Sequence, residues 1–142
     1  MHNPSLTFDY IARARHRLSS LEVLYRLGAY ADVVREAQEA VELALKALLR
    51  HAAVEVPRVH DVSSVLEDNQ TNLPAYVGPH LPRLCDISRA MRRDRELAFY
   101  GSEDLTPSEF YRETDAKAAL ADATWVVEQV EGAMRPAGER GR

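Results

Sequence analysis

The segment covering residues 30–52 most constrains what this chain can fold into. Val33, Ala37, Ala40, Val41, Ala44, Leu45, Leu48 and Leu49 recur at helical spacing and form a wide apolar stripe, while Glu36, Glu39, Glu42 and Lys46 lie off it. A stripe of that width marks a core helix, and its many alanines let a neighbouring helix approach closely. Glu42 and Lys46 are spaced as an i to i+4 ion pair on the polar side.

Three further long helical patterns surround this one. Residues 6–27 carry Ile11, Ala14, Leu18, Leu21 and Tyr25 in phase, with Gly28 as a stop. Residues 81–99 carry an arginine-bearing helix, with Pro79 and Pro82 tolerable only near its start and Gly101 just beyond its end. Residues 113–134 place Ala116, Leu120, Ala123, Val127, Val130 and Met134 on one face. Between the second and third, Asp61 is positioned to cap a short helix carrying Val62, Val65 and Leu66. Thr106-Pro107-Ser108-Glu109 combines a cap, a first-turn proline and a glutamate at the third helical position, which predicts a short helical turn.

No segment alternates apolar and polar residues between hairpin turns, so the expected class is all-α. Long helices of similar length with short connections predict an antiparallel up-and-down bundle of four long helices plus a short helix. The expected division is a single bundle over residues 1–134 and a flexible C-terminal tail over residues 135–142.

Within 142 residues, no uninterrupted apolar stretch approaches the roughly 18 needed to cross a bilayer, so no membrane partner is expected. The start of the chain has no basic region followed by an apolar run, and Cys85 has no partner for a disulfide or a thiolate metal site. A cytoplasmic location is expected, with no cofactor and no metal. The formal net charge of -4 argues against a protein that coats nucleic acid nonspecifically, and no DNA-binding motif is present.

The basic residues are nevertheless unevenly placed, with Arg83, Arg89, Arg92, Arg93 and Arg95 in one helix. Leu84, Ile87, Ser88, Met91, Arg95 and Ala98 share one face of that helix, so Arg95 falls where a leucine should be. Arg93 faces the opposite, solvated side, and Arg92 lies on the flank between. A guanidinium on a core-facing stripe must meet a carboxylate, such as Asp32, Glu36 or Glu39, line a crevice open to water, or stand at an interface that takes an anionic group such as a phosphate. His60 with Asp61 reads as a helix start rather than a metal or catalytic pair, and Trp125 as an aromatic at the core edge rather than a base-stacking platform.

Three stretches together resemble the HEPN domains. They are Tyr30-Ala31-Asp32-Val33-Val34 leading into Glu36-Ala37-Gln38-Glu39-Ala40-Val41-Glu42, then Val56-Pro57-Arg58-Val59-His60-Asp61, and finally Phe99-Tyr100-Gly101 followed by Tyr111 and Asp115-Ala116. The similarity covers roughly residues 6–132. It implies the helical bundle already described, a homodimer, and a minimal nucleotidyltransferase as partner in a toxin-antitoxin or defence pair.

Active members of that family are metal-independent ribonucleases, with an arginine followed four to six residues later by a histidine. Arg95 matches the arginine, but residues 95–107 contain no histidine, and Tyr100 stands five positions on. A tyrosine, with an unperturbed pKa of about 10, is a poor general base at neutral pH. His80 is 15 residues from Arg95, about 22 Å along one helix, and cannot substitute within it.

The resemblance therefore implies a regulatory module that binds a nucleotide or RNA phosphate through Arg95 and Arg92. The rival readings are a ribonuclease using Arg92, Arg95 and Tyr100, with Arg95 and Tyr100 as the catalytic candidates, and a non-catalytic dimeric scaffold. Tyr100 also loosely matches a tyrosine that partner nucleotidyltransferases modify with AMP in some members, against the plainer role of an aromatic plug at the helix end.

Overall fold

The computed structural model describes residues 4–56, 58–100 and 106–136, and side chains for all of these except residues 4 and 93–100. Six helices account for most of it: α1 (Pro4–Arg26), α2 (Tyr30–His51), α3 (Ser63–Asp68), α4 (Leu81–Tyr100), α5 (Pro107–Phe110) and α6 (Glu113–Met134). Four are long and two short, and no strand occurs among the described residues. The tail beyond residue 136 lies outside the described residues.

The apolar stripe of α2 is the centre of the core. Val33, Ala37, Ala40, Ala44, Leu45, Leu48 and Leu49 are fully buried, and α2 packs against α1, α4 and α6. Ile11, Ala14, Leu18 and Leu21 of α1 supply one covering face, and Ala116, Ala123, Val126, Val127 and Val130 of α6 supply another. Leu120 and Met134, expected on the buried face of α6, are only half-buried and pack at its margin. α1 runs antiparallel to both α2 and α6, which therefore run parallel to each other. Arg17 and Tyr10 of α1 meet Glu36 and Arg50 of α2, while Arg15 and Tyr25 of α1 meet Glu131 and Glu113 of α6.

Local chemistry sets the ends of these helices. Gly28, at φ +75°, supplies the left-handed residue that turns α1 into α2. Ala53 does the same after α2 at φ 60°, and Val54 N–H closes onto the Leu49 carbonyl at 2.9 Å. At α5, Thr106 Oγ1 accepts from Glu109 N–H at 3.3 Å and Glu109 Oε2 accepts from Thr106 N–H at 3.0 Å, the reciprocal cap read from the sequence. Two short 3₁₀ stretches, Gln70–Asn72 and Ala75–His80, lead into α4 where the sequence suggests only turns. Pro79 cannot donate a backbone hydrogen bond, so α4 begins after it.

Candidate functional site

Helix α4 runs unbroken to Tyr100, so position 95 keeps the phase of Leu84, Ile87, Ser88 and Met91. Those four side chains are all buried. The buried stripe on which Arg95 stands is therefore present as expected. The side chains of Arg93, Arg95 and Tyr100 lie outside the described residues.

The three described arginines of α4 differ in how they are engaged. Arg83 lies over the Trp125 ring at 3.9 Å and pairs with Asp122 at 3.8 Å. Arg89 donates to Glu67 and to Asp86, each at 2.9 Å, and these bonds, to Glu67 first, hold its pKa above the ordinary value. Arg92 is half-buried and has no ion pair or hydrogen-bond partner among the described residues. Of the carboxylates that could meet Arg95, Glu36 is engaged by Arg17 of α1 and by Arg35.

Beside Met91, a crevice of about 370 Å³ opens between α4 and α6. Its floor is Val34, Ile87, Met91 and Ala119, and its rim carries Asp86, Asp115 and Asp122. Asp86 and Asp122 are paired with Arg89 and Arg83, Asp115 caps the start of α6, and no cation is among the lining residues.

His60 and Asp61 separate into two roles. Asp61 Oδ1 accepts from Ser63 N–H and from Ser88 Oγ, both at 2.9 Å, fixing the start of α3 against α4. Burial raises the Asp61 pKa, but the bonds from Ser63 and Ser88 outweigh it and leave it below the ordinary value. The carboxylate explains why Ser88 can be buried on an apolar stripe. His60 Nδ1 instead meets Glu42 Oε1 at 2.7 Å. Among the described residues, no group of three or more His, Cys, Asp or Glu side chains is placed to hold a metal ion.

Two other reactive side chains are structurally committed. Cys85 is buried, and chiefly that burial pushes its thiol up to about 11, so it stays protonated at neutral pH. His80 packs edge-on to Trp125 at 5.7 Å and against Tyr76 at 5.6 Å. Trp125, half-buried between His80 and Arg83, is the core-edge aromatic that its helical phase implies.

A second concave surface lies along the C-terminal half of α2, with a volume of about 470 Å³. Glu42, Lys46 and Arg50 of α2, Tyr10 of α1, and Val56, Arg58, Val59 and His60 of the following segment line it. Sequence reading finds the Glu42–Lys46 pair but not this cleft. The spacing of Lys46 and Arg50 places them on one helical flank, but only the tertiary fold adds Tyr10 and Arg58.

The HEPN domain model matches residues 8–133. The chain belongs to the HEPN domain family. Two solved structures share its fold. ST0689, an archaeal HEPN homologue, superposes with a TM-score of 0.69 at 25% identity, over 91% of this chain and 98% of its own. TT1696 from Thermus thermophilus shares the fold with a TM-score of 0.74 at 24% identity, over 94% and 99% of the two chains. No curated protein matches. Among the described residues, no helix of this HEPN domain is long and apolar enough to cross a membrane.

Proposed function

We propose that this HEPN domain is a nucleotide- or RNA-phosphate-binding regulatory module that works as a homodimer with a nucleotidyltransferase partner in a toxin-antitoxin or defence pair. One observation carries the reading: Arg92 has no described partner, whereas Arg83 and Arg89 on the same helix are held by carboxylates. A cation left unpaired beside an apolar stripe is ready to take an oxyanion, and Arg95 stands one turn beyond Met91 on that stripe. Because residues 95–107 contain no histidine, the helix supplies charge stabilisation without a proton carrier suited to neutral pH.

The test uses Arg92→Ala and Arg95→Met in nucleotide and short-RNA titrations at two salt concentrations, with denaturant melts alongside. Binding should weaken in both variants and fall as salt rises, because phosphate contacts release counterions. Stability should stay nearly unchanged in Arg95→Met, since methionine keeps much of the apolar stem. A loss of about 3 to 5 kcal/mol with no ligand affinity in the wild type would identify a buried ion pair instead. Metal-independent RNA cleavage by the wild type that disappears in Arg95→Ala would make the protein a ribonuclease.

A further inference from the structure

We propose that the cleft along the C-terminal half of α2 binds a small organic phosphate monoester, a sugar phosphate or a mononucleotide, separately from the anion surface assigned to α4. Its lining carries Lys46, Arg50 and Arg58 against the single carboxylate of Glu42, so three positive charges and one negative leave +2 with His60 neutral. The whole chain has a formal charge of -4, so the cleft is opposite in sign to the protein around it. A phosphate monoester has a second pKa of about 6 and three acceptor oxygens, so it approaches two negative charges at neutral pH. A diester carries only one and would leave the cleft half neutralised.

The individual side chains are arranged to receive such a group. Glu42 Oε1 accepts from Gln38 and faces His60 Nδ1, and its Oε2 accepts from Lys46 at 3.0 Å. Glu42 thus orients Lys46 and His60 rather than standing as an unscreened repulsive charge. Lys46 uses one described hydrogen bond of three possible donors. Arg50 and Arg58 have no carboxylate partner among the described residues. The Arg50 guanidinium lies 5.5 Å from the centre of the Tyr10 ring, and its Nε is buried with no acceptor among the described residues. Buried donors nearly always have a partner, and a phosphate oxygen is a strong acceptor for a guanidinium N–H.

The shape points to an organic phosphate rather than the bare ion. Tyr10, Val56 and Val59 form an apolar wall beside the cations, and about 470 Å³ lies in the usual range of small-molecule sites. The site is distinct from the α4 surface. Met91, next to Arg92, shares its crevice with Val34, which is 16 residues, or about 24 Å along α2, from Arg50.

Calorimetry on the full chain with inorganic phosphate, ribose 5-phosphate, AMP and adenosine tests the assignment. Ribose 5-phosphate and AMP should bind more tightly than inorganic phosphate, and adenosine should not bind. A preference for AMP over ribose 5-phosphate would make the ligand a nucleotide, and equal affinity a sugar phosphate. Arg58→Ala, at an exposed position, and Arg50→Met should each weaken ribose 5-phosphate binding about tenfold. In the unaltered protein, ribose 5-phosphate should shift backbone amide resonances of residues 46–60, a readout that does not depend on any variant folding. Absence of binding up to about 10 mM, adenosine binding as tightly as AMP, or unchanged affinity in Arg58→Ala would overturn the proposal. So would resonance shifts confined to α4.

Discussion

Gly132 provides the sharpest test of how α6 is packed. It is buried two residues before the end of α6, and a Cβ built there would lie 2.8 Å from Tyr76 Oη, 2.9 Å from Cζ and 3.1 Å from Cε1. Ordinary carbon contacts lie at about 3.5–4.0 Å, so Gly132→Ala must displace the Tyr76 ring by several tenths of an ångström. The ring is not free to yield, since its hydroxyl donates to Gln129 at 3.1 Å and its face meets His80. Losing that hydrogen bond costs about 1 kcal/mol, and overpacking costs about 1–3 kcal/mol. Against these, alanine gains at most about 1 kcal/mol of helix propensity, and less so close to a helix end. The balance is a destabilisation of about 1–4 kcal/mol. Urea denaturation of Gly132→Ala, Tyr76→Ala and the double variant measures it as a cycle. In the Tyr76→Ala background the clash is gone, so Gly132→Ala should become neutral or stabilising, giving a coupling at least as large as that destabilisation. Additive single effects, or a stabilised Gly132→Ala with Tyr76 present, would refute the packing argument.

Asp61→Ala should cost about 1–2 kcal/mol in a thermal or urea melt, because it removes the acceptor for Ser63 N–H and strands the buried Ser88 hydroxyl. Asp61→Asn should lose less, since its amide oxygen can still accept. Burial raises the Glu42 pKa, yet hydrogen bonds with His60, Gln38 and Lys46 overcome it and leave it below 4.5. A depressed carboxylate pKa means the unfolded chain takes up the proton first on acidification. The contribution of Glu42 is therefore fully present well above pH 4.5 and is lost as pH falls through its folded value. Wild type and Glu42→Gln should differ in urea midpoint near neutrality and converge as pH falls through the folded value of Glu42, and a difference independent of pH would contradict this.

Long periodic elements were legible in the sequence because burial imposes a phase on them. The stripe of α2 is buried as read, α6 spans the expected residues 113–134, and the buried face of α4 contains the expected Leu84, Ile87, Ser88 and Met91. The cap at Thr106 was equally legible, because its partners are three residues apart. Contacts made across the bundle were not. His60 pairs with Glu42, 18 residues earlier, and Ser88 meets Asp61, 27 residues away, so neither bond leaves a local pattern. The α2 cleft was illegible for the same reason: its cations come from two segments and its aromatic wall from a third. On α4, sequence supplied Arg92 as a site residue, and the structure added the contrast with its paired neighbours Arg83 and Arg89.

Phosphate binding and phosphate cleavage make different demands on a site. Binding requires only cations with donors left to give, and Arg92 on α4 and Arg50 and Arg58 by α2 meet that requirement among the described residues. Cleavage also needs a group that exchanges a proton near neutral pH at the same phosphate. Among the described histidines, His60 meets Glu42 and His80 packs against Tyr76 and Trp125. The arginine helix has no histidine between residues 95 and 107 to bring one back. On the proposed reading, a HEPN bundle with Arg95 but no histidine in residues 95–107 holds a phosphate without breaking its ester, and metal-independent RNA cleavage by the wild type would refute that reading.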